Sequence, residues 1–169
     1  MPDATGLELY AQEIAEAVPD SIVDTEFHRG RATLNVKPPD AHGVLEQLKG
    51  KGYTFLASLH GVDYYPHEPR LGVIYEMLDM QRVERISVKA RLHTHEARID
   101  TVMDMFPTAN FQEREVYDMF GVFFEGHSDL RRILMPEDYE GHPQRRDFPV
   151  GGEPILFTHN EEQSYGKHV

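Results

Sequence analysis

Apolar positions along this chain follow two alternating periods. Leu7, Tyr10, Ala11, Ile14 and Val18 return every three or four residues, so they share one stripe. That spacing predicts a helix from Thr5 to Val18, ended by Pro19 and Asp20. Ile22 to Phe27 and Ala32 to Val36 read as short strands joined by a turn at Arg29 and Gly30. After Pro38 and Pro39, Asp40 is placed to cap a second helix with Val44, Leu45 and Leu48 as its apolar face and Gly50 or Gly52 at its end. Tyr53 to Tyr65, Leu71 to Met80 and Arg85 to His93 then read as strands, the first two separated by a loop that Pro66 and Pro69 break. In the last of them Ile86, Val88, Ala90 and Leu92 alternate with Arg85, Ser87, Lys89, Arg91 and His93, the pattern of a sheet with one wet side. Ile99, Val102, Met103 and Phe106 suggest a helix over Ala97 to Phe106. A further helix starts at Asn110, where Asn110 and Glu113 have capping-box spacing, and ends at Gly121, a residue suited to the left-handed conformation. Val122 to Phe124 is strand-like, and no long periodic segment follows it.

These elements predict an α+β fold: a mainly antiparallel sheet with helices packed on one face, followed by an extended irregular C-terminal arm. The expected division is a globular domain over residues 1–125 and an arm over residues 126–169, with the tail from Gly151 extended or partly disordered. A length of 169 residues suits one such domain with a real core. Hydrophobic content of 40% and a mean hydropathy of −0.53 leave little apolar surface to spare. No cysteine is present, which removes disulfides, thiolate zinc sites and cysteine-ligated iron–sulfur clusters. A net charge of −12 argues against nucleic acid and against an anionic membrane surface. No apolar run approaches the ~20 residues of a membrane span, and the acidic N-terminus lacks a signal-type apolar core, so the expected place is the cytosol or a cytosolic face.

Charge is concentrated between Asn110 and Pro149. Glu113, Arg114, Glu115 and Asp118 crowd one helix; Arg131 and Arg132, then Arg145, Arg146 and Asp147, follow among aromatic and aliphatic residues. Arg114 and Asp118 stand four apart and are expected to pair. The bland reading is a solvated helix face; the sharper one is a surface whose charges a partner completes. Nothing in the stretch supplies a nucleophile, a lid or an oxyanion hole in a recognisable order. With five Arg against nine Asp or Glu it is net negative, so arginine forks facing a partner's carboxylates or carbonyls suit it better than a phosphate groove. The apolar residues between the charges, Phe123, Phe124, Leu130, Ile133, Leu134 and Met135, fit either a core beneath the sheet or an interaction arm. His93 and His95 have the two-residue spacing that puts two rings on one side of a strand, and Glu96, His127 or His60 could complete a small metal site; exposed polar residues at a strand end is the plainer reading. No HExxH, GxGxxG, Walker or GxSxG pattern occurs.

The run from Phe111 through Glu113, Arg114, Glu115, Tyr117, Asp118 and Phe120 to Gly121 resembles the signature of the 30 kDa subunit of respiratory NADH:quinone oxidoreductase, complex I. His127, Leu130, Arg131, Arg132, Ile133 to Pro136, Asp138, Gly141, Pro143 and Arg145, Arg146, Asp147, Phe148, Pro149 resemble that family's second block. Ser128, Tyr139 and Gln144 depart from it. The resemblance implies a subunit of the hydrophilic arm that itself binds no cofactor and no metal, packed against the 49 kDa-type subunit and other hydrophilic-arm subunits. Iron–sulfur clusters and FMN are then expected in the partner subunits. It implies a peripheral position on the cytoplasmic face of the cell membrane, without insertion. It also implies that the charged signature residues hold structure and interfaces together. Related subunits occur in membrane-bound hydrogenases and in ferredoxin- or F420-linked dehydrogenases. A small histidine-ligated metalloenzyme and a generic acidic adaptor are the competing readings.

Overall fold

A computed structural model describes residues 4–28 and 31–149 of the chain. Helix α1 (Ala4–Ala17) leads into strands β1 (Ile22–His28) and β2 (Arg31–Val36), then α2 (Ala41–Gly50). Strands β3 (Phe55–Asp63), β4 (Leu71–Asp79) and β5 (Glu84–Leu92) follow. Short β6 (Arg98–Asp100), α3 (Ala109–Phe120) and short β7 (Phe123–Glu125) complete the regular structure. Beyond β7 the described chain is an arm of turns that reaches Pro149.

The five long strands form one sheet in the order β1-β2-β5-β4-β3, while β6 and β7 pair separately in parallel. Every neighbour in the large sheet is antiparallel except β2 and β5. The alternation read from the sequence sets its faces. Leu34, Val88, Tyr75 and Leu59 lie opposite one another across four strands, and all four are buried. The row beside it runs Val36, Ala90, Val73 and Gly61. At Gly61 a side chain would collide with the Phe120 ring, so a bare backbone there lets the end of α3 lie against β3. Helices α1 and α2 bring Ile14, Val44, Leu45 and Leu48, none of them exposed, to the same face. The architecture is the α+β one expected, with the helices on one side.

Four local expectations are corrected. Residues 97–106 are not a helix: Arg98–Asp100 is a strand, and turns follow. Ile99, Val102 and Phe106 do point inward, which is what mimicked a helical stripe. Their backbone is held by tertiary partners instead, Ile99 pairing with Phe124 and the Thr101 N–H donating to the Glu125 carbonyl at 2.9 Å. Asp40 does not cap α2 through its side chain, because the turn Pro38–Asp40 already holds it in a helical conformation. Asn110 and Glu113 form no capping box: α3 starts at Ala109, and Glu113 turns into the core. Arg114 and Asp118 do not pair, each being engaged by the arm. The Arg29–Gly30 turn and the tail from Gly151 lie outside the described residues.

Candidate functional site

The charged stretch closes on itself around the C-terminal end of α3. Gly121 ends that helix with φ 74° and ψ 30°, its N–H donating to the Tyr117 carbonyl. One turn earlier Asp118 is completely buried. Its Oδ2 accepts the backbone N–H groups of Ile133, Leu134 and Met135 at 3.0, 2.8 and 2.9 Å, and its Oδ1 accepts Arg132 Nη1 at 2.6 Å. Burial works against ionisation of Asp118, but these four donors outweigh it and hold the carboxyl below the ordinary carboxylate range. Three successive amides curled around one oxygen make a backbone nest, so a single side chain fixes the turn at Ile133 to Met135.

The arginines complete the tie. Arg114 reaches across from α3 to the carbonyls of Arg131 and Arg132 at 3.2 and 3.1 Å. Arg132 also donates to the Gly141 carbonyl at 2.8 Å and lies over the Tyr139 ring, which stacks on Phe148. His142 Nδ1 meets the Asp118 carbonyl at 2.9 Å, and Arg145 Nε donates to the Phe120 carbonyl at 2.6 Å. These bonds satisfy carbonyls that the end of a helix leaves open.

A second anchor was not foreseen in the sequence. Arg70, in the loop before β4, has its side chain almost buried at 8% exposure. It forks onto Asp63 at 2.8 and 2.7 Å and onto Asp147 at two distances of 2.7 Å. Asp63 also accepts the Arg146 N–H at 2.8 Å. The Arg70 guanidinium accordingly holds both carboxyls below their usual range. The available hint was local: an arginine in a proline-broken loop, shortly after an aspartate at a strand end.

Glu113 and His127 form a third, inner contact. Glu113 Oε1 accepts the Val102 N–H at 2.8 Å and Oε2 the Thr101 hydroxyl at 2.6 Å. Burial pushes its carboxyl up to about 7. The His127 side chain is buried 3.9 Å away. Its Nδ1 accepts the Asp129 N–H, which leaves Nε2 as the donor to the Asn110 carbonyl at 3.2 Å. Leu130 packs against the core, while Glu115, Arg131, Pro136, Arg146 and Pro149 are exposed.

His93 and His95 sit with ring centroids 5.4 Å apart, and His93 contacts Glu68 at 3.2 Å. His127 is engaged by the Asn110 carbonyl of α3. Among the described residues no group of three or more His, Cys, Asp or Glu side chains is placed to hold a metal ion. No described helix is long and apolar enough to cross a membrane.

Known proteins resemble this chain in sequence and in fold. Residues 34–154 match the family described as the respiratory-chain NADH dehydrogenase 30 Kd subunit. A subunit of the NADH-quinone oxidoreductase of Roseiflexus sp. (strain RS-1) is 38% identical over 98% of this chain and 94% of its own length. Its counterpart in Herpetosiphon aurantiacus is 46% identical over 75% of this chain and 74% of its own. Among solved structures, the trypsin-resistant fragment (1-134) of Nqo5 superposes with a TM-score of 0.64 at 32% identity, covering 73% of this chain and 98% of the fragment. A chain of the membrane-bound sulfane sulfur reductase, an archaeal respiratory membrane complex, gives 0.71 at 25% identity, covering 98% of this chain and 94% of its own. With most of its length matched, this chain belongs to the family of 30 kDa subunits of the respiratory-chain NADH dehydrogenase.

Proposed function

We propose that the chain is a cofactor-free structural subunit in the hydrophilic arm of a proton-pumping NADH:quinone oxidoreductase. It packs against the 49 kDa-type subunit and supports electron transfer from NADH to quinone, which runs through FMN and iron–sulfur clusters held by its partners. It sits peripherally on the cytoplasmic face of the membrane. Residues 1–125 are the globular body and residues 126–169 the arm that docks on neighbours.

One observation carries this reading: the signature charges Arg114, Asp118, Arg132 and Arg145 bind main chain. Asp118 receives three amides, Arg114 two carbonyls, Arg145 one, and Arg132 two carbonyls together with the Asp118 carboxylate. Groups fixed in this way shape a surface and offer no nucleophile paired with a base. Apolar residues stand out on that surface, with Phe111 63% and Leu134 60% exposed.

Affinity purification of the tagged chain is expected to bring down the 49 kDa-type subunit in equal amount. Arg131→Ala is expected to lower assembled complex while leaving the melting temperature of the isolated chain within a degree or so, because its ion pair with Asp129 is exposed on both sides. Full assembly with lost turnover would instead make these residues catalytic. A related membrane redox complex is the second reading, favoured by the likeness to the sulfane sulfur reductase chain. Reduction of the purified complex by NADH or by reduced ferredoxin separates the two.

A further inference from the structure

The cations at the end of α3 outnumber their counter-charges. Arg70, Arg145 and Arg146 surround two carboxylates, Asp63 and Asp147, and Arg70 forks onto both. Asp63 takes two further bonds, from the main-chain N–H groups of Tyr65 and Arg146. The Arg146 guanidinium is exposed and has no acceptor among the described residues. Arg145 uses only Nε, on the Phe120 carbonyl. Its terminal nitrogens meet no acceptor among the described residues, although burial disfavours its charge. One positive charge is left over. His142 adds no further charge: Nδ1 donates to the Asp118 carbonyl, and burial holds the ring below its ordinary pKa.

The position of Arg145 is built. A side chain at Gly121 would fall on His142 Nε2 and Arg145 Nη2, so the glycine makes the room they occupy. A helix terminus needs one donor at the Phe120 carbonyl. A guanidinium supplies five N–H groups in a planar fork, and a half-desolvated fork with bonds unmade favours a planar two-oxygen acceptor. In a chain of net charge −12 the long-range force on an acidic partner is repulsive, so such a contact sets register rather than speeding encounter.

We propose that Arg145, backed by Arg146, is a carboxylate socket, filled in the assembled complex by an Asp or Glu side chain of a neighbouring subunit. This rests on the chain being a subunit of a larger complex. The test is Arg145→Lys, which puts an amine in the socket of the purified complex. Carbodiimide activation is expected to join position 145 to an acidic residue of another subunit, located by mass spectrometry. A link only to carboxylates of the same chain, or no link in a complex that has assembled, overturns the socket and leaves the structural role standing. Arg145→Gln should weaken retention of the chain by about thirtyfold. Arg146→Gln, at an exposed position, should weaken it severalfold without moving the melting temperature. Equal retention of both variants and wild type overturns the proposal. Should the wild-type chain assemble with no redox subunit, both readings fall.

Discussion

The sheet and the arm are held by different forces. In the sheet, rows such as Leu34, Val88, Tyr75 and Leu59 cohere because apolar area leaves water, a non-directional gain of about 25 cal/mol per Å². Between α3 and Pro149 the ties are charge-assisted hydrogen bonds with fixed geometry, centred on Asp118 and Arg70. Many residues satisfy the first force, and few satisfy the second. The sheet is therefore written as a pattern of residue classes, and the arm as particular residues.

The largest expected effect breaks the two regions apart. Asp118→Ala leaves Arg132 and three amides without their acceptor, at a cost of about 3–5 kcal/mol. That cost should fall on the arm alone. Amide exchange at Ile133, Leu134 and Met135 should rise while Val88 stays protected. Leu34→Ala, at about 2–5 kcal/mol, should loosen both regions together because it opens the shared core. Global unfolding at one midpoint in the Asp118→Ala chain would show that the arm is no separate unit.

Next in size is Gly121→Val. A β-branched residue at φ 74° costs about 1–2 kcal/mol in backbone strain, and its side chain would displace His142 and Arg145. A loss of about 2–3 kcal/mol in chemical denaturation is expected. An unchanged midpoint would remove the left-handed role of Gly121.

The smallest effect uses pH to set the regions against each other. Asp63, Asp118 and Asp147 ionise more readily folded than unfolded, so unfolding takes up protons. Their contribution is full above the ordinary carboxylate range near ~4 and is lost as pH falls below it. Glu113 runs the other way: with its folded pKa raised to about 7, its contribution is full below 4.5 and is lost as pH rises through about 7. Glu113→Gln should therefore stabilise the chain at pH 8 relative to pH 5, by on the order of 1–3 kcal/mol. A gain that is the same at both pH values would mean that Glu113 carries its charge in the core.

How legible each region was follows from the same contrast. The alternation of Ile86, Val88, Ala90 and Leu92 announced a half-buried strand, and the sheet confirms it. The sequence could not order the strands, because the parallel pairing of β2 with β5 depends on partners far apart in the chain. Ile99, Val102 and Phe106 were read with the wrong period, since inward residues on a short strand and a turn fall at helical spacing too. In the arm, Asp118, Arg132 and Gly121 stood out by identity, but their partners did not. Local spacing offered Arg114 to Asp118, but three amides and Arg132 from the arm take the buried carboxylate, while Arg114 turns to the carbonyls of Arg131 and Arg132. Arg70 stayed hidden because its partner Asp147 lies at the far end of the chain.

The parallel seam at β2 and β5 also governs how this protein is born. Ala32 cannot find Ile86 until α2 and two intervening strands have been made. On the ribosome the first hairpin must emerge and wait, its inner edge open, until synthesis has passed Leu92. In that interval the open edge of β2 is a template on which a strand from another chain could pair.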